Sequence, residues 1–231
     1  TVADVNDITP VYTATSTTPT VNEGATAVDS NVAITDADSG DSNTCNLGGA
    51  DAGLFTCTLS GQTSYSVAFS SAPDYETPNS AGSSNEYTVT VSINDGSNAG
   101  ATITYTVTVA DTNDQTPVYQ AADADDAITV NENVGTGSID AGTITDTDTV
   151  GTYGCTLGGA DAADFACTIS GSTVNVAFAS SPNYESPADA DTNNVYVVTV
   201  LIDDGTANDA NGATTLTITV ADVNDITPVY Q

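Results

Sequence analysis

Asp111-Thr112-Asn113-Asp114-Gln115-Thr116-Pro117 stands near the middle of this 231-residue chain, and variants of it occur three times. The first copy is Asp4-Val5-Asn6-Asp7-Ile8-Thr9-Pro10, and the last is Asp222-Val223-Asn224-Asp225-Ile226-Thr227-Pro228. Each runs into Val-Tyr, and the copies begin at residues 4, 111 and 222. A period this long marks tandem domains, since solenoid repeats are far shorter. Each copy gathers carboxylate and amide oxygens within four residues and then stiffens the chain with proline. Oxygen donors on a short, stiff connector suit a hard cation such as calcium.

Working outward, the intervals inside the two repeats nearly match. Asp36 precedes Cys45 as Asp146 precedes Cys155, and Glu76 precedes Asp95 as Glu185 precedes Asp204. Residues 1–8 then read as a linker motif shared with an upstream repeat, 9–117 as repeat 1, 118–228 as repeat 2, and 229–231 as the start of a further repeat. Residues 1–12 are identical to residues 219–230, so the chain reads as a mature product or a piece of a longer array.

The secondary-structure signal is strand throughout. Tyr87, Val89, Val91 and Ile93 alternate with Thr88, Thr90 and Ser92, and Ile103, Tyr105, Val107 and Val109 alternate with threonines. Period-two alternation means half-buried antiparallel strands. Shorter candidates are 32–35, 44–47, 55–59 and 64–70, separated by Gly, Pro, Asn, Asp and Ser clusters. About seven short strands in ~110 residues is the pattern of an immunoglobulin-like Greek-key β-sandwich. The expectation is an all-β chain of two such sandwiches joined end to end.

The charge balance excludes several functions. The chain has no Lys, Arg or His and 31 acidic residues. No side chain can neutralise a phosphate, so nucleic acid is not an expected partner. No apolar run is long enough to span a bilayer, so membrane insertion is not expected. Without His or Lys the usual general bases and amine nucleophiles are absent, so the chain reads as a non-enzyme. A site that gathers carboxylates is difficult to close without a cation, because two held ~4 Å apart repel by about 1 kcal/mol even in water.

The four cysteines, Cys45, Cys57, Cys155 and Cys167, give one pair per repeat with the same spacing. An even pair per repeat points to an oxidising, extracellular or cell-surface location. Cys45 and Cys57 bracket what reads as two strands joined by a glycine-containing turn. Pairing within each repeat, Cys45–Cys57 and Cys155–Cys167, is the favoured reading; pairing between chains, which would weld a fibre, is the alternative. Where repeat 1 has Glu86, Thr88 and Ser92, repeat 2 has Val195, Val197 and Leu201, an apolar strand face suited to self-association.

Five motifs in order, twice, carry a resemblance. They are Asn22-Glu23-Gly24 and Asn131-Glu132-Asn133; Asp36-x-Asp38 and Asp146-x-Asp148; Asp74-Tyr75-Glu76 and Asn183-Tyr184-Glu185; Asp95-Gly96 and Asp204-Gly205; and the linker. The chain resembles cadherin domains, especially the cadherin-like repeats of large prokaryotic extracellular surface and adhesin proteins. The resemblance implies Ca2+ between consecutive domains. Carried over, one complete site takes Glu23, Asp74 and Glu76 from repeat 1, Thr112, Asn113, Asp114 and Gln115 from the linker, and Asp146, Asp148 and Asp204 from repeat 2. Of these, Thr112 and Gln115 would act through their carbonyls. Asn6, Asp7, Asp36, Asp38 and Asp95 form an N-terminal half-site, and Glu132, Glu185, Asn224 and Asp225 a C-terminal one. Both half-sites imply neighbouring copies or repeats end to end. Asn183 replaces the usual Asp, which removes one charge from the C-terminal half-site. The function so implied is a calcium-stiffened segment of an extracellular fibre or filament, or alternatively a calcium-dependent adhesin binding a like molecule, another cell or a glycan.

Overall fold

The computed structural model describes residues 4–38, 42–122 and 127–227. The expected start of a further repeat at 229–231, and residues 1–3 of the first linker copy, lie outside them. The chain divides into two compact units, Thr1–Thr112 and Asn113–Gln231.

The first unit contains β1 (Val11–Tyr12), β2 (Thr20–Asn22), β3 (Ala27–Thr35), β4 (Thr44–Gly48), β5 (Phe55–Ser60), β6 (Ser64–Phe69), β7 (Glu86–Asn94) and β8 (Ile103–Ala110). They form two sheets, in the orders β1-β3-β6-β5 and β2-β8-β7-β4. β2 runs parallel to β8, and the other pairs are antiparallel. Most connections cross from one sheet to the other, as in a Greek key.

The second unit repeats the plan with β9 (Val118–Gln120), β10 (Ala127–Asn131), β11 (Ser138–Thr145), β12 (Gly154–Gly158), β13 (Phe165–Ser170), β14 (Thr173–Phe178), β15 (Val195–Asp203) and β16 (Thr214–Ala221). Its sheets are ordered β9-β11-β14-β13 and β10-β16-β15-β12. The short strands β1, β2 and β9 carry too few residues to show an alternation, so periodicity alone does not reveal them.

Alternation decides the core. Tyr87, Val89, Val91 and Ile93 on β7 are fully buried, and so are their counterparts Val198, Val200 and Ile202 on β15. The core of the first unit also encloses polar groups. Tyr65 and Tyr105 hydroxyls lie 3.2 Å apart, and Tyr105 donates to Asp29 at 3.0 Å. The second unit keeps a buried aspartate at the matching strand, with the Tyr119 hydroxyl donating to Asp140 at 2.6 Å. Buried polar atoms of this kind persist because they are hydrogen-bonded.

Both disulfides form within the chain, Cys45–Cys57 and Cys155–Cys167, and no cysteine is free. The segment 45–57 forms two strands joined by a glycine-containing turn, as read from the sequence, but the two strands do not pair with each other. β4 and β5 belong to opposite sheets, and a short 3₁₀ turn, Ala52–Leu54, carries the chain between them. The bridge, twelve residues apart in sequence, therefore ties sheet to sheet. The turn is held by Asp51, a buried carboxylate that accepts from Ala81 N at 2.6 Å and Thr88 N at 2.7 Å. Gly49 precedes it at φ +94°, where a Cβ would stand 2.9 Å from the Thr88 carbonyl oxygen, so only glycine fits there.

Candidate metal centre

In the first unit, Glu23, Asp74 and Glu76 offer carboxylate oxygens within 4.8 Å of one another. Glu23 follows β2, where its own N–H donates to the Ala110 carbonyl at the end of β8. Its Oε1 accepts from Thr112 N at 2.6 Å, and its Oε2 accepts from Tyr75 N at 2.8 Å. One buried carboxylate thus ties the start of the linker to the Asp74-Tyr75-Glu76 turn. Asp74 accepts from Thr77, and those hydrogen bonds hold its carboxyl below the usual range.

In the second unit, Asp146, Asp148 and Asp204 converge within the same 4.8 Å. Asp204 directly follows β15 and is at 2% exposure. Its Oδ1 accepts from Thr206 N and Ala207 N, both at 2.7 Å, and its Oδ2 is buried with no hydrogen-bond partner. Burial pushes this carboxyl up, but the N–H groups of Ala207 and Thr206 outweigh it and hold the pKa below the ordinary value. The linker residues 113–115 pack on the same cluster. Asn113 Nδ2 donates to the Asp204 carbonyl at 3.0 Å, leaving its buried Oδ1 unpartnered, and Gln115 N donates to Asp148 Oδ2 at 2.8 Å. Asp114 is exposed and accepts from Gln115 Nε2 at 2.8 Å.

The N-terminal half-site has the same wiring. Asn6 Nδ2 donates to the Asp95 carbonyl at 3.1 Å, and Asp7 N and Ile8 N donate to Asp38 Oδ2 at 2.8 and 2.7 Å. Asp95 Oδ2 and Asp36 Oδ2 are buried without partners. Asp36, Asp38 and Asp95 are not among the groups that converge within 4.8 Å, so this set is more open than its counterpart.

At the other end of the second unit, Glu132, Glu185 and Asp225 come within 4.8 Å. Glu132 accepts from Tyr184 N at 2.9 Å and Val223 N at 2.8 Å, and these bonds depress its pKa. Glu185 moves the other way. A bond from its own N–H lowers its pKa, but burial and repulsion by Glu132, Asp225 and Asp222 together raise it. Asn183 takes the place of Asp74 and accepts from Ser186 N at 2.9 Å, so the turn survives the lost charge. Asn224 is exposed.

Two features of this arrangement point to cations. The buried oxygens of Asp36, Asp95, Asn113 and Asp204 lack donors, which is costly unless something positive faces them. The chain itself supplies no cationic side chain. All-oxygen donor sets of carboxylates and amides fit calcium by number and hardness. Residues that do not belong to these clusters but share their chemistry are Asp51 and Asp161. Each spends both oxygens on backbone N–H groups. Their repeated setting, Gly-Gly-Ala-Asp-Ala at 48–52 and 158–162, is the signal that separates them from surface acids.

No protein-family model and no curated protein matches the chain. Solved structures do. Mouse cadherin-23 EC22-24 is 25% identical with a TM-score of 0.65, over 95% of this chain and 68% of that one. Human protocadherin-24 EC1-2 is 22% identical with a TM-score of 0.63, over 95% of this chain and 100% of that one. The protocadherin gammaB4 extracellular domain is 24% identical with a TM-score of 0.63. The match covers 97% of this chain, which spans only 34% of that protein's chain. These likenesses, the four sheets and the repeated strand order show the fold: two tandem cadherin-like domains.

Proposed function

We propose that this chain is a structural, calcium-stiffened segment of an extracellular fibre or filament built from tandem cadherin-like repeats, as in large prokaryotic surface proteins. The observation that carries the reading is the set of buried, donorless oxygens on Asp36, Asp95, Asn113 and Asp204 in a chain without one Lys, Arg or His. Glu23, Asp74 and Glu76 would be ligands at the end of one repeat. Asn113 and Asp114, with the carbonyls of Thr112 and Gln115, would be ligands on the linker. Asp146, Asp148 and Asp204 would be ligands at the start of the next repeat. A bound calcium ion supplies positive charge and shared oxygen coordination. This chain's own residues do the rest: Thr112, Tyr75, Gln115, Thr206 and Ala207 N–H groups orient the carboxylates. Extracellular modules of this kind bind at about 10⁻⁴ to 10⁻³ M, so the sites would fill in millimolar calcium and empty in chelator. The two disulfides support an oxidising, extracellular setting.

The test is small-angle scattering and negative-stain imaging in millimolar calcium and in chelator. Wild-type chain should be rod-like in calcium and flexible in chelator, and Asp114→Ala should be flexible in both with each sandwich still folded. An Asp114→Ala chain as stiff as wild type with and without calcium would remove the linker assignment.

An adhesive reading has one observation of its own. Val197 is 38% exposed on β15, flanked on the same strand face by half-buried Val195 and Leu201. That face would meet a like molecule, another cell or a glycan.

A further inference from the structure

Asn85 stands immediately before β7, and Asn194 immediately before β15. Each makes the same two contacts in its own unit. Asn85 Nδ2 donates to the Tyr75 carbonyl at 2.9 Å, and Asn194 Nδ2 donates to the Tyr184 carbonyl at 3.0 Å. Their main-chain carbonyls accept from Val109 N at 2.8 Å and Val220 N at 2.9 Å. Tyr75 and Tyr184 are the central residues of the Asp74-Tyr75-Glu76 and Asn183-Tyr184-Glu185 turns, and their own N–H groups go to Glu23 and Glu132.

These bonds close a ring. In the first unit it runs from Glu23 Oε2 to Tyr75, from the Tyr75 carbonyl to Asn85, from Asn85 to Val109 on β8, and from Ala110 at the end of β8 back to Glu23 N. The second unit repeats it through Glu132, Tyr184, Asn194, Val220 and Ala221. The Tyr75 carbonyl belongs to the planar peptide that leads into Glu76. The amide of Asn85 therefore fixes the plane from which that carboxylate extends, and Asn194 does the same for Glu185.

Packing does not account for the amide. Both Oδ1 atoms are buried without a donor, a cost that an aliphatic side chain would not carry. The flanking positions meanwhile change: Ser80, Ser84 and Glu86 in the first unit become Asp189, Asn193 and Val195 in the second. The link from amide to tyrosine carbonyl is kept in both.

Resting on the calcium reading above, we propose that Asn85 and Asn194 are positioning residues for calcium. Each acts through the tyrosine main chain and orients the peptide that carries a ligand glutamate, Glu76 or Glu185. Side chains that orient metal ligands in this way commonly contribute about tenfold or more to metal affinity.

The experiment is a calcium titration of the whole chain followed by amide chemical shifts, read separately at residues 74–77 and 183–186. Both sets should respond saturably in wild-type protein. Asn85→Leu should raise the midpoint at 74–77 by about tenfold and leave 183–186 as in wild type, and Asn194→Leu should do the reverse. A merely structural role would not separate the two sets. Asn85→Asp keeps the size and adds a negative charge, which by itself attracts a cation, but it sets an oxygen against the Tyr75 carbonyl. Weaker binding at 74–77 is expected there too. Spectral dispersion in chelator reports folding, and Asn85→Asp serves if Asn85→Leu unfolds. Wild-type midpoints in the variants, midpoints that move together, or tighter binding in Asn85→Asp would overturn the proposal and leave the calcium reading standing. No saturable change at 74–77 in wild-type protein would overturn the calcium reading as well.

Discussion

Asp161 shows how one side chain can carry a loop. Its two oxygens meet Ala190 N and Val197 N at 2.7 and 2.6 Å in part-buried hydrogen bonds. Asp161→Ala leaves two part-buried donors without their protein partner, which costs up to roughly 1–3 kcal/mol for each. Urea unfolding should show a loss of about 2 kcal/mol or more, whereas Asp191→Ala, at an exposed position, should cost far less. Acid titration works on different residues and with two signs. Asp204 has a depressed folded pKa, so its stabilising effect is present above its unfolded value of about 3.9 and is lost as pH falls through the lower folded one. Glu185 has a raised folded pKa, so protonation from above about 4.3 relieves repulsion and stabilises. In calcium-stripped protein, the melting temperature should therefore hold or rise slightly down to about pH 4.5 and fall below about pH 4. A monotonic decline from neutral pH would contradict both assignments.

Among the elements, the disulfide between β4 and β5 has the largest mechanical consequence. It fastens the two sheets of one sandwich at the crossover where the chain changes sheet. Closing a loop of about this length stabilises by roughly 3 kcal/mol in the chain-entropy model. The fully buried Tyr87, Val89, Val91 and Ile93 remain to hold the sandwich without it. Cys45→Ser with Cys57→Ser should lower unfolding stability by about 3 kcal/mol and leave the circular dichroism of the folded state unchanged. Loss of the β-sheet signal at ambient temperature would mean that the sheets depend on the bridge. Core strands also explain why two carboxylates stay in place: Asp95 and Asp204 directly follow β7 and β15, whose inward-facing residues are fully buried.

At the scale of the whole molecule, 31 acids and no cationic side chain make self-association depend on what screens the charge. If the β15 face mediates contact between copies, it should do so in calcium and salt. Val197→Thr with Leu201→Ser should then abolish association measured by sedimentation while leaving the melting temperature within a degree or two of wild type. Unchanged association in that variant would leave the structural reading alone. Among the described residues no helix is long and apolar enough to cross a membrane.

The sequence by itself determined the class of fold and the identity of the acidic positions. Period-two alternation in β7, β8, β15 and β16 places one face inside whatever the partners are, and fixed spacing of the Asp and Glu motifs marks them as a set. It also determined the absence of any cationic partner side chain, which composition alone settles. The tertiary structure decided what periodicity cannot reach. It put β4 and β5 in opposite sheets, so a bridge that is local in sequence ties the sandwich together. It separated Asp51 and Asp161, which hold backbone N–H groups, from Asp204, whose second oxygen has no donor. It brought Asp146, Asp148 and Asp204 close while leaving Asp36, Asp38 and Asp95 more open. The reason is the same in each case. A strand's own residues fix which face turns inward, but which groups meet across two sheets depends on contacts between residues far apart in the chain.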